Sequence, residues 1–311
     1  MSHSDLVRPP RLRPGDKIAV CAPSGPAPDD RLRAGLNILA GRYRIECLWD
    51  AAETQGYLAA DDDRRAESFN RALRDSEFRA IFVLRGGYGA MRILPALDTD
   101  AMRGDPKPIV GFSDATAILA WATQECNVQA IHGPVVTHLP VIPAAEIEWL
   151  FRLLEEPVTE GVLPWDLHQV GAPSEEEISA RIFGGNLCLV SHLSKTGFSL
   201  PANETSIALL AEDVGEQPYA IDRYLTGLSL SGALSRVSCG LLGSFTNCEG
   251  QKFPTPTVET VLNERFSEFG LPALAGLPVG HGEHNWALPI GGRALVNFSN
   301  STVALVEGAV S

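Results

Sequence analysis

Three short apolar runs constrain this chain more than any other feature, because each ends at glycine, proline or serine and is followed by a helix-like segment. Lys17–Cys21 reads KIAVC and stops at Ala22-Pro23-Ser24-Gly25-Pro26. Residues 80–84 read AIFVL and stop at Arg85-Gly86-Gly87-Tyr88-Gly89, and residues 108–111 read PIVG and pass at once into helical spacing. A strand with no polar alternation has both faces buried, and intervening helices are what cover it, so the pattern predicts a parallel sheet. Residues 43–48 read as a further strand. Residues 30–40 place Leu32, Leu36 and Leu39 at helical spacing, and residues 61–75 form a charged amphipathic helix. Its acidic start, Asp61-Asp62-Asp63, suits the positive end of the helix dipole.

The pattern breaks over residues 155–177, which are rich in proline, glycine and acids and keep no period. A chain of 311 residues suits two domains at roughly 100–200 residues each. The expected division is an N-terminal α/β domain over 1–155, a linker over 156–178 and a second domain over 179–311. The second half offers a Gly184-Gly185-Asn186 turn, an apolar strand over 206–211, a helix over 219–230, a strand over 237–242 and a helix over 258–269, then strands and turns from Arg293.

Composition removes several classes of function. With 25 basic and 38 acidic side chains, the net charge of −13 argues against nucleic acid as the main partner. The closest of the six cysteines, Cys239 and Cys248, are too far apart for a C-x-x-C motif, and buried reduced thiols are expected. No apolar stretch approaches the length of a membrane span, and the first residues lack the apolar core of a signal peptide, so a cytoplasmic protein is expected. There is no P-loop, no calcium loop and no H-E-x-x-H, so neither a cofactor nor a metal is expected.

The chemistry concentrates at four places. In Gly111-Phe112-Ser113-Asp114 a buried strand gives way to a helix, which leaves a serine hydroxyl on a sharp turn beside unpaired N–H groups able to hold an oxyanion. A serine or aspartate there also simply caps a helix, and Ala115 stands where a G-x-S-x-G nucleophile elbow has its last glycine. Gly86, Gly87 and Gly89 let the backbone approach a ligand, or make a tight turn. Glu212-Asp213-Val214-Gly215-Glu216 puts acids directly after an apolar strand, where one carboxylate can orient a histidine. Gly280-His281-Gly282-Glu283-His284-Asn285 offers two loop histidines as a general base, with His132 and His138 as competitors. A serine, an acid and a histidine drawn from two domains would meet in the cleft between them, where small-ligand pockets are common.

Five stretches run in one order: Arg85 to Pro95, Val110 to Thr116, Gly184 to Leu187, Glu212 to Arg223 and Gly280 to Gly291. Together they resemble the serine LD-carboxypeptidases, the murein tetrapeptide carboxypeptidases, across most of the chain. The resemblance implies a two-domain fold. Its N-terminal parallel-sheet α/β layer would be similar to that of class I glutamine amidotransferases, and its C-terminal domain smaller and mainly β, with helices. It implies Ser113 as nucleophile, Glu212 as the acid, His281 rather than His284 as the base, and an oxyanion hole from the N–H of Asp114 with one from Gly86 or Gly87. It also implies a murein tetrapeptide substrate cut before its terminal D-alanine, and a homodimer. Arg85 is a candidate for the substrate carboxylate, and Asp213, Glu216 and Glu283 for the amine of its diamino acid. A related branch, the microcin C self-immunity peptidases, shares the triad but cuts an aminoacyl-nucleotide. Aromatic residues placed to stack on adenine, with Phe183, Trp165 and Trp286 as candidates, would favour that branch.

Overall fold

The computed structural model describes residues 6–157, 161–250 and 256–311. Within it the apolar runs form the strands β1 (Lys17–Cys21), β2 (Arg44–Cys47), β3 (Phe78–Val83), β4 (Ile109–Gly111) and β5 (Ala130–His132). All five are parallel and lie in the order β5-β4-β3-β1-β2. The helices Asp29–Ala40, Asp62–Arg74 and Thr116–Gln124 join them. Asp61 caps the second of these, its carboxylate accepting from the Arg64 N–H at 2.8 Å. Phe82, Ile81, Val110 and Ile109 are wholly buried, as double coverage requires.

The second half builds a mixed sheet. Its strands are β6 (Gly161–Val162), β7 (His168–Gly171), β8 (Glu177–Asn186), β9 (Ile207–Val214), β10 (Val237–Thr246), β11 (Pro272–Ala275), β13 (Arg293–Asn297) and β14 (Thr302–Leu305), while β12 (Leu288–Ile290) lies elsewhere. The order is β6-β14-β13-β8-β9-β10-β11-β7, with β8 to β11 parallel at the centre and antiparallel strands at both edges. The protein is thus a two-domain α/β fold with a mostly parallel N-terminal sheet and a mixed C-terminal one.

Three local expectations are revised. The stretch read as a linker supplies the edge strands β6 and β7; residues 158–160 within it lie outside the described residues, as do residues 1–5 of the expected leaderless start. Gly184-Gly185-Asn186 ends the long strand β8 instead of making a turn, and Asn186 caps the helix Leu187–Leu193. Strand β12 leaves the second half and pairs antiparallel with β5 of the first sheet. The loop 276–287 before β12 therefore crosses from one sheet to the other, and it carries His281 and His284. All six cysteines are free thiols. Among the described residues, no helix is long and apolar enough to cross a membrane.

Candidate active site

The carboxyl ends of parallel strands in an open α/β sheet are where ligands bind, at the point where the strand order reverses. Here a cavity of about 230 Å3 opens at that edge, lined from the segments after β1 (Arg31), β3 (Gly86, Gly87), β4 (Ser113) and β5 (His138), with His281 entering from the crossing loop.

Ser113 sits on the turn between β4 and the helix Thr116–Gln124, and its backbone takes the left-handed value φ 62°. A non-glycine residue there is strained by about 1–3 kcal/mol, a cost that recurs at functional turns. The turn lifts Oγ off the sheet to 3.0 Å from His281 Nε2. His281 Nδ1 lies 2.6 Å from Glu212 Oε2, and Glu212 is wholly buried near the end of β9. The three residues read from separate motifs are therefore joined by two hydrogen bonds, in the tautomer with Nδ1–H donating to the carboxylate. The Phe112 ring packs on the His281 imidazole at 4.7 Å between centroids and limits how far it can swing.

Two glycines make this approach possible. A Cβ on Gly86 would stand 2.8 Å from both Cβ and Oγ of Ser113, so only glycine lets the β3 loop lie against that serine. Gly280 has φ 115°, and a Cβ there would meet Glu212 Oε2 at 2.6 Å. Among the described residues, the N–H groups of Gly86, Gly87 and Asp114 donate to no other backbone or side-chain acceptor. They are thus free to face a ligand at the cavity. Asp114 ties the two loops together, its Oδ2 accepting from the Ala90 N–H at 2.8 Å, and burial pushes its carboxyl above the usual range.

The remaining candidates take other places. His284 turns away from Ser113 and bonds the buried Glu146. His138 lines the cavity, and burial lowers its pKa to about 4, with the nearby His281 acting in the same direction. His132 is wholly buried and lowered to about 4 for the same leading reason, so both rings are neutral at pH 7. Asp213 is a correction. Its carboxylate is buried, where it accepts from Asn186 Nδ2 and from the Cys188 N–H, both at 2.9 Å, and burial raises it to about 6, so it is not a cleft acid. Arg85 lines the cavity and also braces its loop, donating from Nη1 to the Pro26 carbonyl at 2.6 Å. Sequence reasoning missed Arg31, and it read neither the packing of Phe112 on His281 nor the close approach of Gly280 to Glu212. Of these only Gly280, the glycine before the motif histidine, left a readable signal.

A serine at a strand end of an open α/β sheet, joined by hydrogen bonds to a loop histidine and to a buried carboxylate of the second sheet, defines a serine hydrolase architecture. Family comparison makes the class specific. Residues 18–133 match the LD-carboxypeptidase N-terminal domain and residues 179–296 the LD-carboxypeptidase C-terminal domain. The chain belongs to the LD-carboxypeptidase family, peptidase family S66. The murein tetrapeptide carboxypeptidase of Pseudomonas aeruginosa is 31% identical, over 90% of this chain and 92% of its own. The crystal structure of a muramoyltetrapeptide carboxypeptidase from Oxalobacter formigenes superposes with a TM-score of 0.81 at 25% identity, over 94% of this chain and 98% of that one. Microcin C7 self-immunity protein MccF in complex with aspartyl sulfamoyl adenosine superposes with a TM-score of 0.86 at 22% identity, over 98% and 100% of the two chains, a likeness of fold.

Proposed function

We propose that the protein is a cytoplasmic serine carboxypeptidase that removes the terminal D-alanine from murein tetrapeptides, with Ser113 as nucleophile, His281 as base and Glu212 as the orienting acid. The observation that carries this reading is the charge of the Ser113 cavity. Arg31 and Arg85 line it and, among the described residues, no carboxylate does. Arg31 also forms no ion pair among the described residues. A cavity of about 230 Å3 with two guanidinium groups suits one small residue ending in a free carboxylate. That end-group selects the last amide of a peptide over internal ones. The relative from Pseudomonas aeruginosa, a murein tetrapeptide carboxypeptidase by name, supports the same substrate class.

The steps follow from the distances. His281 Nε2 takes the Ser113 proton as Oγ attacks the carbonyl carbon of the diamino acid residue, and the positive charge on the ring is met by Glu212 at 2.6 Å. The oxyanion of the tetrahedral intermediate accepts from the N–H of Asp114 and of Gly86 or Gly87. His281 returns the proton to the amide nitrogen, D-alanine leaves, and water activated by the same histidine releases the acyl group from Ser113.

An aminoacyl-nucleotide substrate would be favoured by Phe183, Trp165 or Trp286 at this cavity, and none of the three lines it; its aromatic wall, Phe112, is already packed on His281. Trp165 and Trp286 instead pack edge to face at 6.3 Å, Trp286 lines a separate groove, and Phe183 is buried in β8. The test is incubation of the purified protein with free tetrapeptides carrying L-lysine or meso-diaminopimelate, read by mass spectrometry, with Ser113→Ala protein and a pentapeptide alongside. Loss of one D-alanine from a tetrapeptide by the wild type alone is the expected result. Intact peptides, from protein whose Ser113 still reacts with a fluorophosphonate, would reject the substrate and retain the nucleophile.

A further inference from the structure

The loop that carries His281 is gripped by a carboxylate from the other half of the chain. Glu146 lies in the first turn of the helix Ala144–Glu155 and is only 1% exposed. Both of its oxygens are used by the crossing loop. Oε1 lies 2.5 Å from His284 Nδ1, and Oε2 accepts from the Asn285 N–H at 2.7 Å. Asn285 is wholly buried, and its Oδ1 accepts from the N–H of Gly280 at 3.0 Å. Gly280 is the residue before His281. A chain of two hydrogen bonds therefore runs from Glu146 through Asn285 to the backbone on which the base is mounted. One turn further along the same helix, Trp149 Nε1 donates to the Ala287 carbonyl at 2.8 Å, so the helix holds the loop at two points.

Packing alone does not account for an ionisable group there. Taking a carboxylate out of water costs several kcal/mol unless its partners compensate, and among the described residues no lysine or arginine pairs with Glu146. Its compensation comes from the loop: one backbone N–H and one imidazole that is half exposed. Both oxygens of one buried side chain are thereby committed to the loop, which suits fixing a segment whose placement decides a proton transfer.

We propose that Glu146 is the positioning residue of the catalytic base, holding Gly280 and hence His281 in reach of Ser113 through Asn285. The proposal rests on the reading of Ser113 and His281 as nucleophile and base, and not on the peptide substrate. The rate at which a fluorophosphonate modifies Ser113 reports on the base without any peptide, so it is the measurement to make on the full-length protein. Glu146→Ala is expected to slow that modification by about 10²-fold, the scale of a misplacement near 1 Å, and to lower kcat alike with KM within about twofold. Glu146→Gln keeps one oxygen for the Asn285 N–H and is expected to recover most of the loss.

Asn285→Ala breaks the second link with Glu146 intact. It is expected to act in the same direction, and the double variant to be no slower than the worse single one, because both lie on one path. Should Glu146→Ala fail to fold, Asn285→Ala and Glu146→Gln carry the test. Wild-type labelling rates in folded Glu146→Ala or in Asn285→Ala would overturn the proposal, as would a Gln variant no better than Ala. If the wild type itself is not labelled at Ser113, the nucleophile reading fails and this proposal falls with it. If the wild type is labelled but cleaves no tetrapeptide, only the substrate reading fails.

Discussion

Replacing Gly280 by alanine tests the link between Glu212 and His281 without touching either side chain. The new Cβ would stand 2.6 Å from Glu212 Oε2 and 2.9 Å from its Cβ and Cγ, against the 3.4 Å at which ordinary contact begins. The carboxylate or the loop must give by about 0.8 Å, and a retreat of the carboxylate along its 2.6 Å bond to His281 would lengthen that bond past the limit of about 3.2 Å for a hydrogen bond. Losing a charge-assisted hydrogen bond is worth about 1.5–3 kcal/mol. If it is lost in the transition state, kcat falls by about 10- to 150-fold at roughly 1.4 kcal/mol per factor of ten. KM should stay within about twofold, because Gly280 does not line the Ser113 cavity.

Alanine at φ 115° also carries a backbone penalty of about 1–3 kcal/mol, visible as a lower melting temperature. Gly215→Ala is the control. It has φ 73° with nothing within 4 Å of the added Cβ, so it incurs backbone strain without crowding Glu212. The assay is steady-state release of D-alanine beside a circular-dichroism melt. A Gly280→Ala protein with a lowered melting temperature but kcat within about threefold of wild type would refute the orienting role given to Glu212.

Ser113→Ala should abolish turnover and fluorophosphonate labelling while leaving the melting curve close to that of the wild type, since it removes one hydroxyl and keeps a non-glycine residue at the same φ; residual turnover above a few per cent would exclude Ser113 as nucleophile. Arg31→Gln should raise KM for a tetrapeptide by about tenfold with kcat largely kept, and the loss should vanish against a C-terminal amide; equal losses on both substrates would remove Arg31 from carboxylate recognition. His132 links stability to pH. Its folded pKa of about 4 lies below the unfolded 6.5, so the unfolded chain binds the extra proton between them and wild-type stability falls as pH drops from about 6.5 to 4. His132→Gln should lack about 3 kcal/mol of that decline. Asp213, raised to about 6, works in the opposite direction, so the difference between the two denaturation curves is the readout, and parallel curves would contradict the assignment.

The sequence by itself determined the first sheet and the chemistry offered at its edge. Double burial leaves a strand no polar alternation, and a strand that turns straight into a helix must expose its next side chain, so β1, β3, β4 and Ser113 were legible locally. Glu212 and His281 were legible as residue types in motifs, at the end of an apolar strand and between glycines. Their meeting was not, because 98 residues of chain lie between Ser113 and Glu212 and only packing measures that distance. The edge strands β6 and β7 carry too few apolar residues to show a period, and their register is set by their partners β14 and β11. The return of β12 to the first sheet has no local signal either, since Leu288–Ile290 is three residues long. Yet that return carries the histidine loop across the cleft and under Glu146. Local sequence specifies which groups are present and which way each turn faces; the long-range pairing of strands decides which of them touch.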